Sequence, residues 1–204
     1  PIQPGTLGQG GETWAADRGF PGYLTAANIT PAAVGSWTDG ELLQSITAGV
    51  HRDGHALFPI MPYPIYGQMT ELDAKAIVSY LRTIQPIETE AYRRELEFPL
   101  TKVVNKIPQP PQWAKSNGEN AIERGKYLAK VAGCEQCHTP LKGKTIDQQN
   151  LFSGGQEFPM SMGIAIAPNI TADEGNGIGY WSKTDFINKF RSYQADAAKN
   201  REAG

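Results

Sequence analysis

Apolar side chains recur at helical spacing in four segments of the chain, and three of these segments begin with a hydroxyl residue that is followed by an acid three positions later. That spacing is typical of a capping box at a helix N-terminus. The pattern predicts helices over 38–50, 70–84, 119–132 and 182 to about 199. The apolar stripes are Leu42, Leu43 and Ile46; Ile77, Tyr80, Leu81 and Ile84; Ile122, Gly125, Leu128 and Val131; and Phe186, Phe190 and Tyr193.

The rest of the chain lacks this periodicity and holds most of its 22 glycines and 15 prolines, in stretches that include 1–36, 85–118 and 140–180. Loops of such length are uncommon in a compact domain unless they surround something, and a large flat apolar cofactor would serve. The prolines of 85–118 predict extended chain with at most one short strand. We therefore predict four helices joined by long loops that wrap a cofactor.

A weak internal repeat divides the chain in two. Residues 28–30 match 169–171, and residues 10–11 match 154–155. Trp37 with the capping residues that follow it matches Trp181 with the capping residues that follow Trp181. We predict two domains of one kind, at 1–88 and 119–204, joined by a Pro-rich extended linker at 89–118.

Each copy of the repeat lacks a segment that the other has. The counterpart of the second copy's cysteine motif would fall ahead of Pro1, and the counterpart of the segment around Met61 would fall beyond Gly204. We expect the chain to be an internal fragment, or the ordered part, of a longer protein.

The strongest chemical signal is the stretch Cys134-Glu135-Gln136-Cys137-His138, which contains both cysteines of the chain. Cys-x-x-Cys-His is the attachment signature of c-type haem. Two thiols at this spacing add to the two vinyl groups of one porphyrin, and His138 then faces the iron as the proximal ligand. Zinc needs about four ligands, a thioredoxin-like pair needs an α/β pattern, and a plain disulfide leaves the histidine unexplained. We predict one covalently attached haem c.

Two methionines are candidate distal ligands, since methionine or histidine completes a low-spin haem. Met61 is preferred because Pro62 stiffens its loop. Met69 abuts the cap of the next helix and is the alternative, with packing as its more ordinary role. Since Met61 belongs to the first copy, it would serve the haem of the first domain.

Other residues are candidates for the walls of a haem pocket. These are Trp37, Trp181, Asn28 and Asn169, with the asparagines acting first as turn residues. Met160 and Met162 are expected to pack at a haem edge. His51 and His55 flank an Asp53-Gly54 turn, which favours a hydrogen-bonded role in a loop over paired ligation on a helix.

These motifs resemble the two-haem cytochromes c of bacterial periplasmic electron-transfer chains, which are built as two cytochrome c domains in tandem. The matching pieces are "GKYLAKVAGCEQCHTP", "APNITAD…GIGYWSKTDF" and "NITPAAVGSWTDGELLQSITAGVHRDGHALFPIMPY…MTELDAKAIVSYLRT". The resemblance implies an all-α fold per domain and a second haem in the full-length protein. The first domain then lacks its N-terminal helix and CxxCH, and the second lacks its distal-methionine loop and last helix.

The function implied is that of a periplasmic or otherwise extracytoplasmic electron carrier rather than an enzyme. It would pass single electrons between a dehydrogenase or quinol-oxidising complex and an oxidase or other terminal acceptor. The alternatives are a two-haem cytochrome c peroxidase-like enzyme, a haem-based gas-binding module and a permanently docked dehydrogenase subunit. A net charge of −2 argues against a nucleic-acid partner. No run approaches the roughly 18 apolar residues of a membrane span, so none is expected in this chain.

Overall fold

The structure is a computed structural model that describes residues 5–16, 20–89, 93–143, 145–160 and 163–202, apart from the side chains of 160 and 194–202. These residues form two compact units, one within Ile2–Asn120 and one within Ala121–Gly204. We call them the N-terminal unit and the C-terminal unit. None of the helices in the described part of the chain is both long and apolar enough to cross a membrane.

The N-terminal unit contains five helices and three short strands among its described residues. They are β1 (Thr13–Trp14), β2 (Gly22–Thr25), α1 (Pro31–Val34), α2 (Asp39–Ala48), α3 (Tyr63–Tyr66), α4 (Glu71–Leu81), β3 (Arg94–Leu96) and α5 (Leu100–Val104). Helix α2 packs against α3 and α4. Its apolar residues Leu42 and Ile46 are buried, which confirms the stripe predicted for the first helix.

The start of α2 shows the reciprocal capping box that the sequence predicted. The Thr38 side chain accepts a hydrogen bond from the Glu41 N–H at 3.2 Å. The Glu41 carboxylate in turn accepts one from the Thr38 N–H at 2.7 Å. Two N–H groups at the helix terminus are thereby satisfied, and the Thr38 contact lowers the pKa of Glu41.

Helix α4 is found where it was predicted, but a different face of it is buried. Ala74 and Val78 are in the core, whereas Ile77 and Tyr80 of the predicted stripe are exposed. Small side chains at 74 and 78 let α4 lie close to α2, and this close approach decides which face is buried.

The three strands of the N-terminal unit form one antiparallel sheet in the order β1-β2-β3. In that sheet Gly22 pairs with Leu96 and Leu24 pairs with Arg94. Strand β3 is the one short strand that the prediction for 85–118 allowed. The described part of 89–118 departs from the predicted extended chain because it also holds helix α5, whose Val104 is only 1% exposed.

The C-terminal unit contains three helices and two antiparallel hairpins among its described residues. They are α6 (Ala121–Val131), α7 (Cys134–His138), β4 (Leu141–Lys142) with β5 (Thr145–Ile146), β6 (Glu157–Met160) with β7 (Gly163–Ile166), and α8 (Lys183–Glu202). Ser182 caps α8 with Asp185 three residues later, as predicted. The predicted stripes of α6 and α8 are largely exposed, with Ile122, Phe186 and Phe190 open to solvent.

The prediction of an all-α fold is wrong. The chain is 35% helical and 12% strand, and its described residues hold eight helices and three small sheets. The strands lie in the Gly- and Pro-rich stretches 1–36, 85–118 and 140–180, which also hold the short helices α1 and α5. Within the strands, short antiparallel pairs satisfy the backbone N–H and C=O groups.

Candidate functional site

The two cysteines lie on α7, a helix of little more than one turn that follows α6 directly. Gly133 lies between the two helices with a left-handed φ of 71°, a conformation that commonly ends a helix. Cys134 and Cys137, three residues apart, share one face of the turn. Both thiols are free, Cys134 half-buried and Cys137 exposed. The turn therefore presents two reactive groups side by side at its surface.

His138 ends the same turn and is oriented by the loop ahead of Asn169. Its Nδ1 lies 2.8 Å from the carbonyl oxygen of Pro168. Because a carbonyl only accepts hydrogen bonds, Nδ1 carries the proton and Nε2 keeps a free lone pair. A metal-binding histidine is commonly held in this way, by a backbone acceptor on its other ring nitrogen.

The backbone around His138 is fixed by contacts that do not involve its ring. The His138 carbonyl accepts a hydrogen bond from the Gly154 N–H at 2.7 Å. The fully buried Thr139 accepts one through its hydroxyl from the Phe152 N–H at 3.0 Å. Gly154 has a φ of 76°, and a Cβ there would lie 2.6 Å from the Ala167 carbonyl oxygen. Only glycine fits so close an approach.

These residues fit a covalently attached haem better than a zinc ion. Within the described part of the chain, Cys134 and Cys137 belong to no cluster of three or more metal-binding side chains. A structural zinc site needs about four ligands at tetrahedral spacing. Two free thiols and one imidazole with an open Nε2 match the requirements of a c-type haem instead.

The N-terminal unit contains an apolar cavity of about 580 Å³, which we call the N-terminal cavity. It is lined by residues of β2 and of the segment 26–34, by Trp14, Trp37, Leu42, Ser45, Ile46, His51, Arg52, Leu57, Phe58, Ile60, Met61 and Leu81, and at its rim by Glu88 and Thr89. Its volume and apolar walls are those of a cofactor site.

Met61 is the methionine that lines the N-terminal cavity among the described residues. The Met61 N–H donates to the Phe58 carbonyl at 3.3 Å, and its own carbonyl accepts from the Tyr63 N–H at 2.8 Å. These two contacts and Pro62 hold the loop. Met69 is buried in the core at 4% exposure, and its carbonyl accepts a hydrogen bond from Ala114.

The two predicted pocket residues of the N-terminal unit, Trp37 and Asn28, both line the cavity but differ in their side-chain contacts. Trp37 lines the cavity, with its ring edge-on to His51 at a centroid distance of 4.7 Å. Asn28 also lines the cavity, but its amide is engaged in the protein. Its Oδ1 accepts from the Thr30 N–H at 2.8 Å, and its Nδ2 donates to the Ile87 carbonyl at 2.6 Å. It is a turn residue first.

Their counterparts in the C-terminal unit repeat this pattern in part. Asn169 accepts hydrogen bonds from the N–H and the hydroxyl of Thr171, at 2.8 and 2.7 Å. Trp181 is half-buried, and its ring lies edge-on to Tyr180 at 6.5 Å. Met162 and the side chain of Met160 lie outside the described residues.

Arg52 is a cavity residue that the sequence reasoning missed. Its guanidinium lies 5.7 Å from the centre of the Trp37 ring and donates to the Ser36 hydroxyl at 3.1 Å. A positive charge at the edge of an apolar cavity is suited to an anionic group on the ligand. The feature of the sequence that could have indicated this role is the position of Arg52, nine residues before Met61.

The internal repeat is reproduced as matched hydrogen bonds in the two units. The bond from Gly11 N–H to the Ala26 carbonyl (2.9 Å) matches the bond from Gly155 N–H to the Ala167 carbonyl (2.8 Å). The bond from Ile29 N–H to the Gly8 carbonyl (2.8 Å) matches the bond from Ile170 N–H to the Phe152 carbonyl (2.9 Å). The bond from Trp37 N–H to the Val34 carbonyl (3.0 Å) matches the bond from Trp181 N–H to the Ile178 carbonyl (3.0 Å). Under this alignment the Pro168 carbonyl, which holds His138, corresponds to the Ala27 carbonyl at the N-terminal cavity. Both units are thus built around the same backbone frame.

Comparison with known proteins finds relatives of the chain, but no family model matches it. The chain is 29% identical over 90% of its length to the fructose dehydrogenase cytochrome subunit of Gluconobacter japonicus. It is 30% identical over 86% to the alcohol dehydrogenase (quinone), cytochrome c subunit, of Gluconacetobacter polyoxogenes. The gluconate 2-dehydrogenase cytochrome c subunit of Pantoea cypripedii is 26% identical over 91% of the chain. The chain spans 39%, 41% and 46% of these three proteins.

Proposed function

We propose that this chain, a bacterial cytochrome c, carries single electrons through covalently bound haem. The observation that supports this most strongly is the pairing of two free thiols with a histidine whose Nε2 is left open by its bond to Pro168. Haem held at this motif supplies a one-electron couple between ferric and ferrous iron. Electron transfer of this kind needs no substrate-binding groups beside the iron, only a fixed and partly exposed cofactor.

Each residue of the motif has a separate task in this proposal. Cys134 and Cys137 would form the thioether bonds, which would keep the cofactor in a unit whose described residues bury few apolar side chains. His138 would bind the iron through its Nε2 lone pair, and the Pro168 carbonyl fixes its tautomer and ring orientation. Because the Pro168 carbonyl accepts a hydrogen bond from Nδ1–H, it would also make the imidazole a stronger electron donor, which would tune the reduction potential.

We further propose that the full-length protein places a second haem in the N-terminal cavity, so that 1–88 and 119–204 act as two cytochrome c-like domains. The volume of the cavity, its apolar walls and the thioether of Met61 support this. Met61 would be the distal ligand, with Arg52 and Trp37 beside it. The Ala27 carbonyl would accept a hydrogen bond from the Nδ1–H of that haem's proximal histidine, as the Pro168 carbonyl does from His138.

The names of the relatives favour a dehydrogenase as the electron donor. We propose that the chain accepts electrons from such an enzyme, in solution or as its docked subunit. It would pass them to an oxidase or another terminal acceptor. Because haem of this type is attached outside the bacterial cytoplasm, the site of action is periplasmic or otherwise extracytoplasmic.

An anaerobic redox titration of the full-length protein, followed by optical absorption, tests the carrier function. A carrier gives reversible one-electron transitions and no reaction of the reduced protein with carbon monoxide. Carbon monoxide binding by the wild-type protein would identify a gas-binding module. Turnover of hydrogen peroxide would identify a peroxidase, and either result would contradict the carrier function.

The role of Met61 is tested in the same titration. Met61→Ala removes the thioether that favours ferrous iron, so one transition should move to lower potential and one haem should become reactive to carbon monoxide. Met69→Ala is the matched control and should leave both properties unchanged. If Met69→Ala gives the effect and Met61→Ala does not, the assignment of the distal ligand is wrong.

A further inference from the structure

The turn between α2 and the Met61 loop brings three metal-binding side chains together. His51, Asp53 and His55 each offer one ligand atom, and these atoms all lie within 4.8 Å of one another. The Nδ1 atoms of the two histidines lie 3.0 and 2.5 Å from the same Asp53 oxygen, Oδ1. The imidazole rings are stacked, with their centroids 4.4 Å apart.

We infer that this turn binds one divalent transition-metal ion of the zinc class, through a ring nitrogen of His51, a ring nitrogen of His55 and the carboxylate of Asp53. The site uses neither the CxxCH motif nor a methionine, although His51 also lines the N-terminal cavity. It does not rest on the proposed function. Two imidazoles and one carboxylate suit Zn²⁺, Ni²⁺, Co²⁺ or Cu²⁺ rather than Mg²⁺ or Ca²⁺.

The distances are close to those that such an ion needs. Zinc lies about 2.0–2.2 Å from nitrogen and oxygen ligands, so tetrahedral ligands lie about 3.3–3.5 Å apart. The two N–O separations must therefore widen by less than about 1 Å. The ion would replace the contacts between the two Nδ1 atoms and Asp53 Oδ1, with each neutral imidazole in its Nε2–H tautomer. Water would complete its coordination.

The turn holds this shape through its own backbone. The His51 N–H donates to the His55 carbonyl at 2.9 Å, the Gly54 N–H donates to the His51 carbonyl at 2.8 Å, and Val50 forms a β-bridge with Ala56. The three side chains therefore do not need to be gathered by the ion. Such preorganisation raises affinity because little chain entropy is lost on binding.

The charges and the accessibility of the turn also suit an ion. The His55 N–H, above all, lowers the pKa of Asp53 to about 2, so its carboxylate is charged at neutral pH. Its side chain is 60% exposed, which gives an ion a path from solvent. His55 Nε2 is buried without a hydrogen-bond partner among the described residues, so contacts at its Nδ1 end set the ring's position.

Each imidazole that bound the ion through Nδ1 would carry its one proton on Nε2, which for His55 is a buried position. We therefore expect micromolar binding rather than the tighter binding of a structural zinc site.

Isothermal titration of the haem-loaded full chain with zinc chloride at neutral pH tests the site. The cysteines are then bonded to haem; if no haem is attached, the thiols are alkylated first, so that the result does not depend on the proposed function. We expect one Zn²⁺ per chain and a loss of at least tenfold in affinity in His55→Ala and in Asp53→Asn. Glu71→Gln, an exposed carboxylate change on α4, should bind as the wild type does.

Two outcomes would overturn the proposal. One is the absence of saturable binding near one ion per chain, and the other is equal affinity in the wild type and His55→Ala. Circular dichroism of each variant confirms that it is folded. Should His55→Ala fail to fold, Asp53→Asn carries the test, because asparagine keeps the shape and the oxygen acceptor but loses the charge that binds the ion.

Discussion

Arg82, directly after α4, joins the end of that helix to the loop that carries Trp37. Its guanidinium donates two hydrogen bonds to Asp39 Oδ1, at 3.1 and 2.8 Å, and one to the Val34 carbonyl at 3.1 Å. Further bonds reach the carbonyls of Gly35 and Trp37. Val34 and Trp37 line the N-terminal cavity, so Arg82 holds part of its wall in place. We predict that Arg82→Ala destabilises the N-terminal unit substantially.

The magnitude follows from the surroundings of each bond. The bonds to the Val34 and Trp37 carbonyls are partly buried, and a charged hydrogen bond of this kind contributes about 1.5–3 kcal/mol. The pair with Asp39 adds at most about 0.5 kcal/mol, since the Asp39 side chain is 78% exposed. Water will reach part of the vacated space. We therefore expect a loss of about 2–4 kcal/mol in the free energy of unfolding.

Urea unfolding followed by circular dichroism measures this loss. Arg82→Lys keeps the charge but not the planar fork of donors, so it should lose most of the same stability. Lys75→Ala is the control, because its pair with Glu71 is exposed on one helix and should contribute no more than about 0.5 kcal/mol. If Arg82→Ala lowers the free energy of unfolding no more than Lys75→Ala does, Arg82 does not stabilise the N-terminal unit as proposed.

Two further predictions use the α2–Met61 connection. In Gly49→Ala the new Cβ would lie 2.5 Å from the buried Tyr63 ring, so the loss in thermal or urea unfolding should exceed that of Gly54→Ala by about 1–3 kcal/mol. Gly54→Ala is the matched control, because both glycines have a left-handed φ, of 73° and 91°, but a Cβ at Gly54 meets nothing within 4 Å. Equal losses in the two variants would show that the Tyr63 ring moves aside without cost. The pKa of Asp53 is lowered, so its carboxylate stabilises the fold above its ordinary pKa of about 4, and this contribution disappears as pH falls toward 2. Unfolding of Asp53→Asn at pH values from about 5 to about 2 should show a weaker fall in stability than the wild type, and parallel curves would contradict the pKa assignment.

Local signals in the sequence predicted the four longest helices, α2, α4, α6 and α8, but not the helices of four or five residues. The capping residues Thr38 and Ser182 place the starts of α2 and α8 within one residue, because a helix start depends on neighbours three positions away. The CxxCH motif predicts its own local geometry for the same reason. Its thiols and imidazole are brought together by one helical turn.

Features that depend on distant partners could not be predicted in this way. Strand β3 exists because Arg94–Leu96 pairs with β2, some seventy residues earlier, and nothing within 89–118 signals that partner. The buried face of α4 is set by its contact with α2, which favours Ala74 and Val78 over larger neighbours. The wall of the N-terminal cavity combines segments from β2 to Leu81, so its volume and Arg52's place in it appear only in three dimensions.

The proposed function depends above all on the covalent bonds between haem and the sulfur atoms of Cys134 and Cys137. Intact mass of the denatured protein, taken after extraction with acid acetone and together with a pyridine haemochrome spectrum, measures it directly. We predict that this chain keeps the mass of one haem and a c-type spectrum after extraction. A polypeptide at its bare mass, colourless and with two titratable thiols, would contradict the claim.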